Sequence, residues 1–130
     1  MEFHLTEGGI RTKLEYGELA IAGNDDHGYR PFQLMIASIA GCSASVFRKV
    51  LAKKKINIDD LKIRTETVRD MHDANRILEI KLHFVVKGTR LNIETLEKSL
   101  EIAHRNCPMV RSVENSIQVK ETLELINLVD

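Results

Sequence analysis

The sequence predicts an α+β fold, and three features of the chain support this class. Glycines divide residues 1–24 into short segments in which apolar and polar residues alternate, which is typical of antiparallel strands. Residues 31–47 form an apolar run without a charged residue, as expected for a central helix. Strict alternation returns in the second half of the chain. Because strands and helices are segregated rather than arranged as repeated βαβ units, the pattern favours α+β over α/β.

Length and charge restrict the class of protein further. A chain of 130 residues suits one domain, 1–130, that buries its own core. The 19 basic residues balance the 19 acidic ones, so we expect no nucleic-acid partner, because phosphate binding relies on clustered Lys and Arg. The amino terminus lacks the pattern of a signal peptide, and we expect no membrane span because no apolar run reaches about 20 residues. We therefore expect a cytoplasmic protein.

The first elements are predicted from turn residues and periodicity. Residues 1–24 should form an antiparallel meander of short strands. Pro31 suits the first turn of a helix, where its missing N–H is no loss, and the helix should run to about Lys55. Apolar residues recur along it at steps of three and four: Met35, Ile39, Cys42, Val46 and Val50. Its other faces are apolar too, which predicts a helix central to the fold.

The remaining elements follow from alternation and capping. Residues 61–68 and 78–87 each alternate between apolar and polar side chains, and the polar segment 70–75 should join them as a hairpin. Asn92 can cap a helix through Glu101 or beyond, and a short helix should begin at Pro108. A last strand is predicted with these residues on one side: Ile117, Val119, Glu121, Leu123 and Leu125.

The two cysteines, Cys42 and Cys107, lie in different local contexts. In a reducing cytosol they are seldom a structural disulfide, which leaves inert buried thiols, a metal site or a catalytic pair. No Cys-x-x-Cys spacing occurs and the five histidines are dispersed, so a metal site is the weakest of the three alternatives and no metal or cofactor is expected. His83 and His104 are expected to face solvent rather than to act as general bases.

Each cysteine has a structural and a chemical interpretation. Cys42, within the apolar run, fits a core thiol packed as a small hydrophobic residue. Cys107 precedes Pro108, and as the cap of a new helix it would meet unpaired backbone N–H groups that favour the thiolate. Arg105 or Arg111 would add positive charge there. The alternative for Cys107 is a merely exposed cysteine.

The two cysteine contexts together resemble the OsmC/Ohr family, the osmotically inducible and organic hydroperoxide resistance proteins. The resemblance rests on Pro31-Phe32-Gln33-Leu34 leading to Ala40-Gly41-Cys42, and on the late pair Cys107-Pro108. It extends over nearly the whole chain. It implies an OsmC-like α+β fold in which antiparallel sheets are wrapped around a long central helix. It also implies an intertwined homodimer with active sites at the subunit interface.

The same resemblance implies thiol peroxidase chemistry. Cys42 would attack an organic hydroperoxide and become a sulfenic acid, and Cys107 would resolve it as a disulfide before over-oxidation. A dithiol, either a small molecule or a protein, would reduce that disulfide. Four residues of the apolar run would line the substrate pocket: Phe32, Gln33, Met35 and Ile39.

Activation of Cys42 is where the sequence departs from the family. Desolvation disfavours a thiolate, and family members supply an arginine held by a glutamate. The position of that glutamate is Phe32 here, followed by Gln33. Arg11 is the expected counterpart of the arginine, with Arg30 as the local alternative.

Three hypotheses about function remain open. The first is a dithiol-dependent organic hydroperoxide reductase. The second is a non-enzymatic dimeric module that binds an apolar small molecule in the interface pocket, and the third is plain structural cysteines. Redox cycling discriminates between them, because only the enzyme must form the disulfide with peroxide and regain both thiols with a dithiol.

Overall fold

The computed structural model describes residues 1–128, within which the chain forms six strands and three helices. The chain divides into two compact units, Met1–Ala37 and Ser38–Asp130, and the division falls inside the first helix. The single domain expected over 1–130 therefore stays a prediction. Its last two positions, 129–130, lie outside the described residues.

The first unit contains the expected meander. Strands β1 (His4–Thr6), β2 (Gly9–Lys13) and β3 (Glu18–Ala22) pair antiparallel in the order β1-β2-β3. Gly8 has a φ of +82° in the β1–β2 turn, a conformation that glycine adopts without strain. The glycines that divide the sequence thus mark real turns, and this part of the prediction is confirmed.

Helix α1 spans Pro31–Lys53 and ends close to the predicted position. Lys55 has a φ of +58°, and its N–H donates to the Ala52 carbonyl at 3.0 Å. The Ile56 N–H donates to the Leu51 carbonyl at 2.9 Å. These two bonds form a Schellman motif, which satisfies carbonyls at the helix end and turns the chain towards the next strand.

The buried stripe of α1 differs from the predicted one. Among residues 31–53, the buried side chains occur at every fourth position: Ile39, Ser43, Phe47 and Leu51. Cys42 is half-buried, and Met35 is 42% exposed. The sequence could not choose between faces because the helix is apolar on nearly all of them.

Helix α1 also corrects the expectation that no apolar run is long enough to span a membrane. Its 23 residues include an 18-residue window with a mean hydropathy of 1.5, which meets the length and composition of a membrane-spanning helix. The core helix of a soluble protein meets the same two criteria. In this structure, 22% of that window is buried.

The second sheet lies in the second unit. Strands β4 (Asp60–Asp70) and β5 (Arg76–Gly88) form the predicted antiparallel hairpin, with Ala74 and Asn75 at positive φ in its turn. The last strand, β6 (Gln118–Asn127), pairs with β5 in parallel. The expectation of purely antiparallel sheets is therefore wrong for this sheet, which is mixed.

The parallel pairing has a physical reason in the connection between β5 and β6. Helices α2 (Ile93–Asn106) and α3 (Pro108–Val113) carry the chain back along the sheet, and a parallel pair needs such a long crossover. Asn92 caps α2 as predicted, since its Oδ1 accepts from the Thr95 N–H at 3.0 Å. The resulting α+β architecture contains one βαβ crossover.

The core of the second unit forms between the sheet and the helices. Alternate β5 side chains are fully buried: Ile80, Leu82, Phe84 and Val86. The Phe84 ring meets Phe47 of α1 edge to face, with ring centroids 5.5 Å apart. This contact places the second half of α1 against the inner face of the sheet.

Candidate active site

Cys107 occupies the junction between two helices. It ends α2 and precedes Pro108 at the first position of α3, with φ −82° and ψ 112°. A residue before proline is driven into this extended region because the proline ring clashes with a helical backbone there. The chain therefore bends at Cys107, and its side chain is 0% exposed in the core.

The structure brings the two cysteines together. Cys42 lies on α1 next to the buried Ser43, and both thiols are free. Burial raises the pKa of the Cys107 thiol, and a hydrogen-bond contact with the Cys42 side chain raises it further. Both residues belong to the second unit. Two thiols that are far apart in the sequence thus form one site.

The protonation of Cys107 is dominated by burial. Desolvation raises its pKa above the ordinary 9.0, and the neighbouring Cys42 acts in the same direction. The Val110 backbone N–H and the Ser43 hydroxyl lower the pKa, but the net shift is upward. Cys107 is accordingly a neutral thiol near pH 7.

This result is opposite to the expectation that a helix start favours the Cys107 thiolate. Helix α3 has only six residues, and the lowering of the Cys107 pKa by the Val110 N–H of this helix is smaller than the rise caused by burial. Arg111, one of the two expected cations, has its Nε 3.3 Å from the Glu114 carboxylate. Burial therefore outweighs the field of a short helix.

A buried carboxylate lies beside the thiols. Glu121 is opposite Leu82 on the inner face of the sheet, and its side chain is 4% exposed. Its Oε1 is 3.0 Å from Ser43 Oγ and 2.7 Å from His104 Nδ1. Ser43 Oγ in turn lies 3.9 Å from Cys107 Sγ. A hydrogen-bonded path therefore runs from Cys107 through Ser43 and Glu121 to His104.

Glu121 keeps one oxygen without a partner. Its Oε2 is buried and has no hydrogen-bond partner among residues 1–128. A buried carboxylate costs free energy unless donors compensate it, and here both donors converge on the other oxygen. Buried polar atoms without a partner are rare in folded proteins, which makes Glu121 a candidate functional residue.

Glu121 was not predicted to belong to the site. The sequence does contain a sign of its burial. Glu121 is a charged residue on the side of the last strand that otherwise carries apolar residues such as Val119 and Leu123. His104, which was expected to face solvent, is only partly exposed. Its side chain is 36% exposed, and its Nδ1 is bonded to the buried Glu121 carboxylate.

A groove leads from solvent to this carboxylate. It lies between α2 and β6 and encloses about 580 Å³. His104 and Glu121 line it together with apolar side chains such as Leu100 and Leu123. The exposed part of the His104 ring thus connects the buried hydrogen bonds to solvent.

The other predicted site residues divide between the two units. Arg11, on β2, has its Nη1 3.3 Å from Glu18 Oε1, and both side chains are about half exposed. The Arg30 guanidinium lies over the Phe32 ring, 4.8 Å from its centroid. Gln33 and Met35 also belong to the first unit. The roles predicted for these residues stay predictions.

Two further observations concern the second unit and metals. Ile39, the fourth residue predicted to line the substrate pocket, is 0% exposed on α1. Within residues 1–128, no three or more His, Cys, Asp or Glu side chains are grouped closely enough to hold a metal ion. The candidate site is therefore built from the two thiols and the path through Glu121.

A comparison with known families identifies the fold. The model described as OsmC-like protein matches residues 23–122, which include Cys42, Cys107 and Glu121. The chain belongs to the OsmC-like family. The resemblance seen in the sequence is confirmed.

Individual OsmC-like relatives are distant in sequence and close in structure. Protein YhfA of Escherichia coli strain K12 is 21% identical over 111 residues, covering 84% of this chain and 83% of YhfA. A hypothetical protein from Aquifex aeolicus VF5 superposes with a TM-score of 0.87 at 24% identity, covering 98% and 96% of the two chains.

A solved structure of a hydroperoxide resistance protein is also similar. The organic hydroperoxide resistance protein OsmC from Legionella pneumophila gives a TM-score of 0.71 at 22% identity, covering 95% of this chain and 93% of that one. At such low identity the likeness shows a shared fold. The predicted OsmC-like α+β class is therefore confirmed.

Proposed function

We propose that this protein is a thiol peroxidase that reduces organic hydroperoxides with electrons from a dithiol. The interaction of the Cys42 and Cys107 thiols within one unit is the observation that carries the proposal. Membership in the OsmC-like family, whose solved members include proteins titled organic hydroperoxide resistance proteins, supports the same class of reaction.

The proposed cycle has three steps. The Cys42 sulfur attacks a peroxide oxygen, the O–O bond breaks, and an alcohol leaves while Cys42 becomes a sulfenic acid. Cys107 then forms the Cys42–Cys107 disulfide and releases water. A dithiol finally reduces that disulfide by thiol–disulfide exchange and restores both thiols.

The order of the two cysteines follows from access and protonation. Cys42 is half-buried, whereas Cys107 is 0% exposed and has a raised pKa. A hydroperoxide entering from solvent therefore meets Cys42 first. Cys107 can react only with a partner already inside the site, which is the situation of a resolving thiol.

Arg11 is the proposed activating cation for Cys42. A cation near a thiol favours the thiolate, and family members hold their arginine with a glutamate. In this chain the family's glutamate position is occupied by Phe32, but Arg11 has another glutamate partner, because its Nη1 lies 3.3 Å from Glu18 Oε1. Arg30, whose guanidinium stacks on Phe32, is the alternative.

A homodimer is part of the proposal. Residues 31–47 carry no charge, yet buried side chains occur only at every fourth position of α1. A helix with apolar side chains on its remaining faces needs further covering, which a second copy of this chain would supply. The substrate pocket would lie at that interface.

Steady-state hydroperoxide consumption tests the proposed function. With dithiothreitol as reductant, the wild-type protein should consume tert-butyl hydroperoxide catalytically and Cys42→Ser should not. If neither protein consumes peroxide while both bind an apolar molecule equally well, the protein is the alternative non-enzymatic binding module.

A further inference from the structure

The proposed cycle leaves the proton of Cys107 unexplained. Burial raises the pKa of this thiol, so the sulfur carries its proton when Cys42 is oxidised. A neutral thiol is a poor nucleophile, because the thiolate is the reactive form. The second step therefore needs a group that takes the proton as the sulfur attacks.

The hydrogen bonds around Ser43 provide a path for that proton. The Ser43 hydroxyl has one hydrogen, and its short contact is to the Glu121 carboxylate at 3.0 Å. The same hydroxyl can donate to Cys107 Sγ at 3.9 Å, but it has one hydrogen, and when that hydrogen goes to Glu121 its lone pairs are free to accept the Cys107 S–H. Transfer of both hydrogens along the path would leave a Ser43 hydroxyl that donates to the new thiolate.

His104 holds the Glu121 carboxylate at the groove that opens to solvent. An ionised carboxylate only accepts, so His104 Nδ1 carries the hydrogen of its 2.7 Å bond to Glu121 Oε1. The ring is about a third exposed in the groove between α2 and β6. Three charged residues of α2 line the same groove: Glu97, Glu101 and Arg105. On the α1 side, the titratable group that faces the path is Cys42. On the β5 side, the residue opposite Glu121 is Leu82, which carries no charge.

We propose that Ser43, Glu121 and His104 form a proton relay that removes the proton of Cys107 as Cys107 attacks the oxidised Cys42. This inference deepens the proposed function, since it takes Cys107 as the resolving thiol. Ser43 touches the reacting sulfur, and Glu121 and His104 act through it.

The step balances in atoms and electrons. The electron pair of the Cys107 S–H bond forms the S–S bond, and the S–O bond of the Cys42 sulfenic acid breaks. The Cys107 proton passes to Ser43 while the Ser43 proton passes to Glu121, and Glu121, which lines the groove, then releases it to solvent. The departing hydroxide takes a proton from solvent and becomes water, so no net proton is gained or lost.

A disulfide probe isolates this step from peroxide chemistry. Reduced protein mixed with 4,4′-dithiodipyridine should release one thiopyridone when the more accessible Cys42 reacts. A second thiopyridone is released when Cys107 attacks the Cys42 sulfur. The first release reports Cys42, and the second reports the proposed relay.

Glu121→Gln should slow the second release at pH 7 by about 100-fold, the lower range for loss of a general base, and leave the first within about twofold. The variant rate should then rise about tenfold per pH unit below the thiol pKa, because it follows the thiolate fraction, whereas the wild-type profile should be flatter. Ser43→Ala should slow the second release by the same factor. The variant that combines Ser43→Ala with Glu121→Gln should be no slower than either single variant, because both substitutions interrupt the same path.

Glu124→Gln is the matched control. Glu124 lies on the same strand, and its Oε1 is 3.1 Å from His83 Nε2, but it belongs to the opposite, outer side of the alternation. This variant should leave both releases unchanged. Thermal unfolding of each variant separates a lost relay from a lost fold, and Ser43→Ala is the second test if Glu121→Gln fails to fold.

A second release in folded Glu121→Gln or Ser43→Ala that stays within twofold of the wild type, with the same pH profile, would overturn the relay. The proposed function fails separately. If the wild-type protein does not consume hydroperoxide but the variants still slow the second release, the result supports the relay and contradicts the proposed peroxidase activity.

Discussion

Ser43 Oγ and Glu121 Oε1 are 3.0 Å apart, which links the middle of α1 to β6 inside the second unit. Ser43 follows Cys42 directly, so the same turn of α1 presents a thiol and a hydroxyl to the core. The carboxylate that reaches them comes from the last strand. This chain thus places a buried acid beside the Ser43 hydroxyl and the Cys107 thiol.

The roles of the two cysteines can be separated by substitution. Cys42→Ser should abolish hydroperoxide consumption, because the attacking sulfur is lost. Cys107→Ser should leave one oxidation event and then allow Cys42 to proceed to the sulfinic acid. Mass analysis of each variant after excess peroxide reads both outcomes, and loss of the first event in Cys107→Ser alone would reverse the roles.

Stability at alkaline pH should depend on Cys107. Because its pKa is raised in the folded state, the folded protein holds this proton more tightly than the unfolded chain does. The contribution to the free energy of unfolding is thus complete below the ordinary thiol value of 9.0 and is lost as the pH rises from there to the folded pKa.

Denaturant unfolding of reduced protein between about pH 8 and pH 11 measures this loss, a range that spans the ordinary thiol pKa. Cys107→Ala should be less stable at neutral pH, by roughly 1 kcal/mol, because a buried side chain is truncated. Its stability should also fall less steeply with pH than that of the wild type. Parallel curves for the two proteins would show that Cys107 ionises equally easily in both states.

Much of the fold could be predicted because its signals are local. Proline at position 31, the alternation of the hairpin strands and the Asn92 cap each act within a few residues, and each element is found. The direction of β6 could not be predicted, because an alternating strand has the same pattern whether it pairs parallel or antiparallel.

The candidate site was harder to predict because it depends on tertiary packing. The contexts of Cys42 and Cys107 were visible in the sequence, but the burial of Cys107 depends on α1 and the sheet, which its neighbours in sequence do not specify. Glu121 and His104 come from β6 and α2, and only the folded chain shows that they meet.

Substrate choice should follow the apolar character of the predicted pocket. Each methylene buried contributes roughly 0.8 kcal/mol, so a pocket that includes Phe32 and Met35 should favour alkyl chains. Alkyl or lipid hydroperoxides should therefore oxidise Cys42 faster than hydrogen peroxide does. Competition kinetics measure the two second-order rate constants, and equal values would contradict an apolar pocket.

The proposed homodimer predicts unfolding that depends on concentration. If α1 is covered by a second chain, folding and association are linked, and the thermal midpoint should rise as the protein concentration rises. Calorimetry over a hundredfold range of concentration measures the shift. A folded monomer at micromolar concentration in sedimentation would contradict the dimer and an active site at its interface.

Peptide mass mapping after one equivalent of tert-butyl hydroperoxide tests the central claim most directly. The account predicts an intrachain disulfide between Cys42 and Cys107, with a loss of two hydrogens, and recovery of both thiols with dithiothreitol. Two unchanged thiols after exposure to the peroxide, or an oxidised Cys42 beside a Cys107 that never pairs with it, would contradict the account.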